Sequence, residues 1–231
     1  MSLNASGFVG ISGVPRSTFC RIRSGRGVAG ALSYYSGFGV VHDQFFYLLA
    51  RKWYHWDISI SVNNTPGGPR MQRTIIHWDA GTHAVSDLAR QHYHFIIDGD
   101  GEVHSGIYKP EDNLSTKDGK YAAHTLNCNT GSIGVAMAGM AGAIESPFNA
   151  GKYPLNEKQF IAMAKLVANL CEKYKIPVTD KTVLTHAEVQ PNLGIKQKNK
   201  WDITRIPFKP ELVGHKACGD YIRKLVTEEM K

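Results

Sequence analysis

Short apolar runs separated by polar, glycine-containing sequence dominate the chain downstream of residue 70. RTIIHW, from Arg73 to Trp78, reads as a strand, and Tyr93 to Asp98 as a second. The turn DGDG leads into a third over Glu102 to Ser105, and Ser132 to Ala138 makes a fourth. Thr182 to Thr185 is a further strand that runs directly into His186. Helical spacing replaces these runs in two places. Asn156 caps a helix reaching Tyr174, with Phe160, Met163, Val167 and Leu170 on one stripe and Pro177 ending the pattern. A last helix fits Lys216 to Met230, with Tyr221, Ile222, Leu225 and Val226 inward. Strands interleaved with helices predict an α/β fold, a single mixed β-sheet flanked by helices.

The upstream sequence has another character. Residues 1–62 are rich in Gly, Ser, Arg and aromatics, and NNTPGGPR, from Asn63 to Arg70, breaks any regular element. This sets a boundary between residues 1–70, an N-terminal extension or small accessory module of unknown role, and a domain over 71–231. Within the extension, VVHDQFFYLLARKW has helical spacing and DISISV alternates like a strand. A core of about 60 residues is marginal, which favours an extension packed on the main domain over an independent module.

Composition narrows the class. With 42% hydrophobic and 20% charged residues among 231, the chain is of the globular type, and no stretch approaches the roughly 20 apolar residues of a membrane span. The net charge of +7 suits polyanionic surroundings such as nucleic acid, anionic lipid or a bacterial wall. The basic residues are scattered, with a mild cluster from Lys196 to Lys200, and no nucleic-acid motif accompanies them, so no nucleic-acid partner is expected. Cys20, Cys128, Cys171 and Cys218 form no CxxC pair, which argues against an all-cysteine zinc site and predicts buried free thiols. The leading MSLNASGFVG lacks a basic start and an unbroken apolar run, so synthesis in a bacterial or host cytoplasm without a signal peptide is expected, followed by release to the wall.

Candidate chemistry lies at the ends of two strands. His77 ends TII and His186 follows TVLT, and such strand ends are where α/β sheets gather functional groups. A hydrolytic zinc site takes three His or carboxylate ligands and leaves a fourth position for water. Asp202, in KNKWDITR, is a candidate third ligand, Lys200 a cation for a developing oxyanion, and Tyr93 a phenol for the same centre. Each has a plainer reading alone: a half-buried hydrogen-bonded histidine, a core or edge tyrosine, an aspartate capping a turn, one exposed lysine among several.

Five stretches in order carry more weight. TIIHWDAGTH, HYHFIIDGDGEVHSG, HTLNCNTGSIGVAMAG, the helix beginning LNEKQF, and LTHAEVQ followed by KWD together resemble the zinc-dependent N-acetylmuramoyl-L-alanine amidases, the family of amidase-type phage lysozymes and peptidoglycan recognition proteins. The resemblance implies the amidase/peptidoglycan-recognition-like fold and one Zn2+ ion held by His77, His186 and Asp202. It also implies catalytic roles for Tyr93 and Lys200 and a substrate groove lined by His124 and Asn129. Ala136 stands where several relatives carry Glu, which excludes a glutamate base from that strand, and Ile203 and Thr204 replace the Pro and Gly that follow the ligand in cytoplasmic recycling amidases. The implied activity is hydrolysis of the amide between N-acetylmuramic acid and L-alanine, in a monomeric phage or prophage endolysin that acts on peptidoglycan without membrane insertion. A recycling or remodelling amidase and a non-catalytic peptidoglycan-binding module are the alternatives.

Overall fold

The computed structural model describes residues 68–231. The expected helix VVHDQFFYLLARKW, the expected strand DISISV and Cys20 lie outside the described residues.

One five-stranded mixed sheet organises these residues, in the order β3-β2-β4-β1-β5. Its strands are β1 (Arg73–Trp78), β2 (Phe95–Ile97), β3 (Val103–Ser105), β4 (Ser132–Met137) and β5 (Val183–Thr185). β1 lies parallel to β4 and β5, and β2 lies parallel to β4, while the β2–β3 hairpin supplies the antiparallel edge. All six positions of β4 are buried, as expected of a parallel strand covered on both faces.

Four helices complete the domain: α1 (Asp87–His92), α2 (Glu157–Tyr174), α3 (His186–Leu193) and α4 (His215–Glu229), with a 3-10 turn at Pro110–Leu114. The Asn156 side chain accepts from the Gln159 amide to start α2. The predicted stripe Phe160, Met163, Val167 and Leu170 is buried and meets Ile76, Ile133, Val135 and Met137 on one sheet face, together with Ile222 and Val226 of α4. Side chains alternate along β1, so Ile75 belongs to the other face, where it packs with Leu184, Cys128 and Val189 of α3. His77 shares that second face.

Arg223 of α4 is buried too, and its guanidinium binds the Glu188 carboxylate of α3 at 2.9 and 3.0 Å. Gly219 makes room for this pair, because a Cβ there would sit 2.1 Å from Glu188 Oε1. Cys128, Cys171 and Cys218 are buried free thiols, and burial pushes Cys171 up to about 11 and Cys218 up to about 12. Among the described residues, no helix is long and apolar enough to cross a membrane.

Three elements differ from the sequence expectation. Tyr93 does not open a strand; it caps the C-terminus of α1, its amide donating to the Ala89 carbonyl, and β2 begins at Phe95. α1 itself, one and a half turns started by Ser86, is too short to show a period. α3 begins at His186, so this residue lies at a strand–helix junction.

Candidate active site

Three polar side chains converge where the parallel strands of the sheet end. His77 is the penultimate residue of β1, and β5, which delivers His186, is its direct neighbour through the pairing of Ile76 with Thr185. Asp202 arrives from the loop after α3. Two contacts fix that loop: the Ala187 amide donates to the Asp202 carbonyl at 2.8 Å, and the Trp201 ring meets Trp78 edge-on at 4.9 Å. Asp202 Oδ2 therefore stands 2.9 Å from His77 Nδ1 and 3.1 Å from His186 Nδ1. Relative exposures of 0% for His77, 5% for His186 and 6% for Asp202 place all three away from bulk water.

The outer ring nitrogens decide the tautomers. His186 Nε2 lies 3.0 Å from Gln197 Oε1, and the Gln197 amide is oriented by donation of its Nε2 to the Leu126 carbonyl at 3.0 Å. His186 consequently donates through Nε2. His124 donates Nε2–H to the Ser132 carbonyl at 3.4 Å, leaving its Nδ1 to accept from the Thr125 hydroxyl at 2.8 Å, and His77 Nε2–H points at this pair, 3.4 Å from the Thr125 oxygen and 3.3 Å from His124 Nδ1. Two imidazole lone pairs and one carboxylate oxygen thus face one another, an arrangement that is relieved only by a cation, either a proton or a metal ion.

Electrostatics agree with a cation site. Burial is the main cause that pushes His77 down to about 4, with the Asp202 carboxylate, an acceptor for the protonated ring, recovering part of the drop. Burial by itself would raise the Asp202 carboxyl, but the facing His186 and His77 rings outweigh it and hold Asp202 below the usual carboxylate range. Near neutral pH the centre presents a neutral His77 beside a carboxylate, the protonation states a metal ion needs.

A cleft of about 280 Å³ opens over this centre, lined among others by Tyr93, His124, Lys200 and Asp79. The Tyr93 ring is 5.1 Å from that of His77, and burial, then the charges of Asp202 and Asp79, push its phenol well above the ordinary range. It therefore keeps its proton and is available to donate. Lys200 is exposed at the rim, where its charge also acts to lower His77. His124 packs flat against β4 because residue 134 is glycine, and a Cβ there would lie 2.6 Å from the ring. Asn129 does not line the cleft; its Oδ1 accepts the His124 and Thr125 amides at 3.1 and 2.8 Å and so shapes the turn that carries His124. Ala136 is the β4 partner of His77 and offers no side-chain base. His83 is half-buried and donates to the Pro154 carbonyl at 2.9 Å, outside the cleft.

Two residues of the site escaped the sequence reading. Asp79 Oδ1 accepts the Gly81 and Gly139 amides at 2.8 and 2.9 Å, clamping the ends of β1 and β4, and burial raises its carboxyl. The aspartate two positions before a glycine in HWDAG was the available signal, that of a turn closed on its own backbone. Gln197 left none, since a glutamine within KQKNK reads as exposed loop.

A sequence profile described as N-acetylmuramoyl-L-alanine amidase matches residues 63–218. The chain belongs to this family. The resemblance in the five stretches is borne out, as is the mixed sheet flanked by helices. Among solved structures, an endolysine N-acetylmuramoyl-L-alanine amidase, LysCS from Clostridium intestinale, is 16% identical over 65% of this chain and 88% of that one, with a TM-score of 0.39. Drosophila peptidoglycan recognition protein SD is 21% identical over 50% of this chain and 69% of that one, with a TM-score of 0.35. The amidase AmiD from E. coli, solved with anhydro-N-acetylmuramic acid-L-Ala-D-gamma-Glu-L-Lys, is 18% identical over 57% of this chain and 53% of that one, with a TM-score of 0.37. No match was found among curated protein sequences.

Within this amidase domain, His77, His186 and Asp202 form a group able to hold a metal ion, their ligand atoms all lying within 4.8 Å of one another. A tetrahedral zinc with bonds of about 2.0–2.1 Å keeps its ligand atoms about 3.4 Å apart. The observed 2.9 and 3.1 Å require the side chains to part by only a few tenths of an ångström. The donor set, two imidazoles and a carboxylate, also suits zinc.

Proposed function

We propose that this protein is a zinc-dependent N-acetylmuramoyl-L-alanine amidase that cleaves the amide between N-acetylmuramic acid and the L-alanine of the peptidoglycan stem peptide. The observation that carries the reading is the buried convergence of His77 Nδ1, His186 Nδ1 and Asp202 Oδ2 beneath a cleft that also presents Tyr93 and Lys200. One zinc ion held there would supply Lewis acidity and a water that ionises near neutral pH. The chain supplies the rest. The Lys200 ammonium places positive charge where the substrate carbonyl oxygen becomes negative. The Tyr93 phenol, kept protonated by its surroundings, donates a hydrogen bond to the reacting centre and orients the attacking water. His124, which lines the same cleft, meets the substrate there.

The biological setting proposed is lysis by a phage or prophage endolysin, made in the host cytoplasm and reaching the wall on release. The net charge of +7 supports adsorption to an anionic wall. A complete ligand set supports hydrolysis over recognition without cleavage. Mass spectrometry of purified peptidoglycan incubated with the protein, with and without a zinc chelator, tests the reading. Stem peptides with free L-alanine amino termini, formed only in the presence of metal, are expected. Folded, zinc-loaded protein that releases no such peptides from several wall types would contradict it.

A further inference from the structure

Gln197 is held at three points. Its amide N–H donates to Gln190 Oε1 at 2.8 Å, its side-chain Nε2 donates to the Leu126 carbonyl at 3.0 Å, and its Oε1 accepts from His186 Nε2 at 3.0 Å. His186 and Gln190 are four residues apart on α3 and share one helix face. That single face grips both the backbone and the side chain of Gln197. Five residues on, the Asp202 carbonyl accepts the Ala187 amide of the same helix at 2.8 Å. The segment 197–202, with Asn199 turning through a left-handed φ of 48° and Lys200 following it, is therefore anchored to the first turns of α3 at both ends.

We propose that Gln197 is a positioning residue for the metal centre: it holds His186 in the Nε2–H tautomer with Nδ1 aimed at the ion, and ties that ligand to the loop carrying Lys200 and Asp202. This rests on the zinc reading of the site. Histidine can present only one nitrogen to a metal, and the nitrogen is chosen by the hydrogen bond the other one makes. Gln197 is 8% exposed and His186 5%, so water does not readily replace this acceptor. A neutral acceptor also matters for charge. Two neutral imidazoles and one carboxylate leave a divalent ion with one net positive charge, whereas a carboxylate at position 197 would draw on the His186 proton and reduce that charge.

The test measures zinc affinity of the full chain by competition with a chromogenic chelator. Gln197→Leu is expected to weaken zinc binding 10- to 100-fold, and Gln197→Glu, which still accepts from Nε2, to bind within about 3-fold of wild type while hydrolysing peptidoglycan more slowly. Gln197→Met takes the place of Gln197→Leu should the branched residue not fold. Wild-type affinity in the apolar variant, or equal loss in the apolar and Glu variants, would overturn the role of Gln197. Wild-type protein that binds no zinc would instead overturn the metal reading on which it rests.

Discussion

Acid should destabilise the domain through a histidine that stands behind the site. His94 is 1% exposed; its Nδ1 accepts the Gly134 amide at 2.9 Å and its Nε2 donates to Asn113 Oδ1 at 3.0 Å. Burial is the dominant cause that lowers its pKa from 6.5 to about 4, with the Asn113 hydrogen bond and the Asp112 and Glu111 carboxylates working in the opposite direction. The unfolded chain takes up the proton below about 6.5 while the folded chain resists it until about 4. At about 1.4 kcal/mol per pH unit this difference amounts to about 3 kcal/mol, present in full above pH 6.5 and lost as the pH falls through 4. Urea unfolding of metal-free wild type and His94→Gln, measured from pH 7.5 to pH 4, reads the effect, with His77 titrating in both proteins and His124 freed in the variant from the repulsion of His94. The stability gap should be largest near neutrality and shrink towards acid pH. A gap that stays constant across that range would refute the reasoning.

Other perturbations separate the parts of the site. Lys200→Ala should retain full zinc by metal analysis while turnover on peptidoglycan falls about 100-fold or more, the size of loss typical for one oxyanion-stabilising group. Tyr93→Phe should likewise keep zinc and lower turnover. Gly134→Ala should cost about 1–3 kcal/mol in urea unfolding, since its Cβ would lie 2.6 Å from the His124 ring and force it from its place. Arg223→Ala strands the Glu188 carboxylate, which is 1% exposed, and should cost about 3–5 kcal/mol by the same assay without changing zinc stoichiometry.

The parts of the fold that were legible in sequence are those whose burial follows a simple period. RTIIHW became β1, an interior strand of the sheet, and the Phe160, Met163, Val167, Leu170 stripe became the buried face of α2. α1 spans six residues and offers no second turn to repeat its pattern. α3 was hidden because Pro191 interrupts it and His186 reads as a strand terminus, although both strand and helix meet there. Arg223 counted as a polar position on α4, and only its partner Glu188, on a different helix, explains its burial. In the site, motif order pointed to His77, His186 and Asp202, which the structure brings together, and His124 lines the cleft above them. Asn129 was expected there too but serves the turn beneath it. Asp79 left a local signal in HWDAG, but its bond to Gly139, like that of Gln197 to Leu126, joins residues distant in sequence, which no local pattern encodes.

The most direct test of the metal centre is zinc content per chain in wild type and in His77→Ala, His186→Ala and Asp202→Ala, measured by inductively coupled plasma mass spectrometry after dialysis against trace zinc. About one zinc per wild-type chain and little or none in each variant is the expected result. Full zinc in any of the three variants, or none in the wild type, would contradict it.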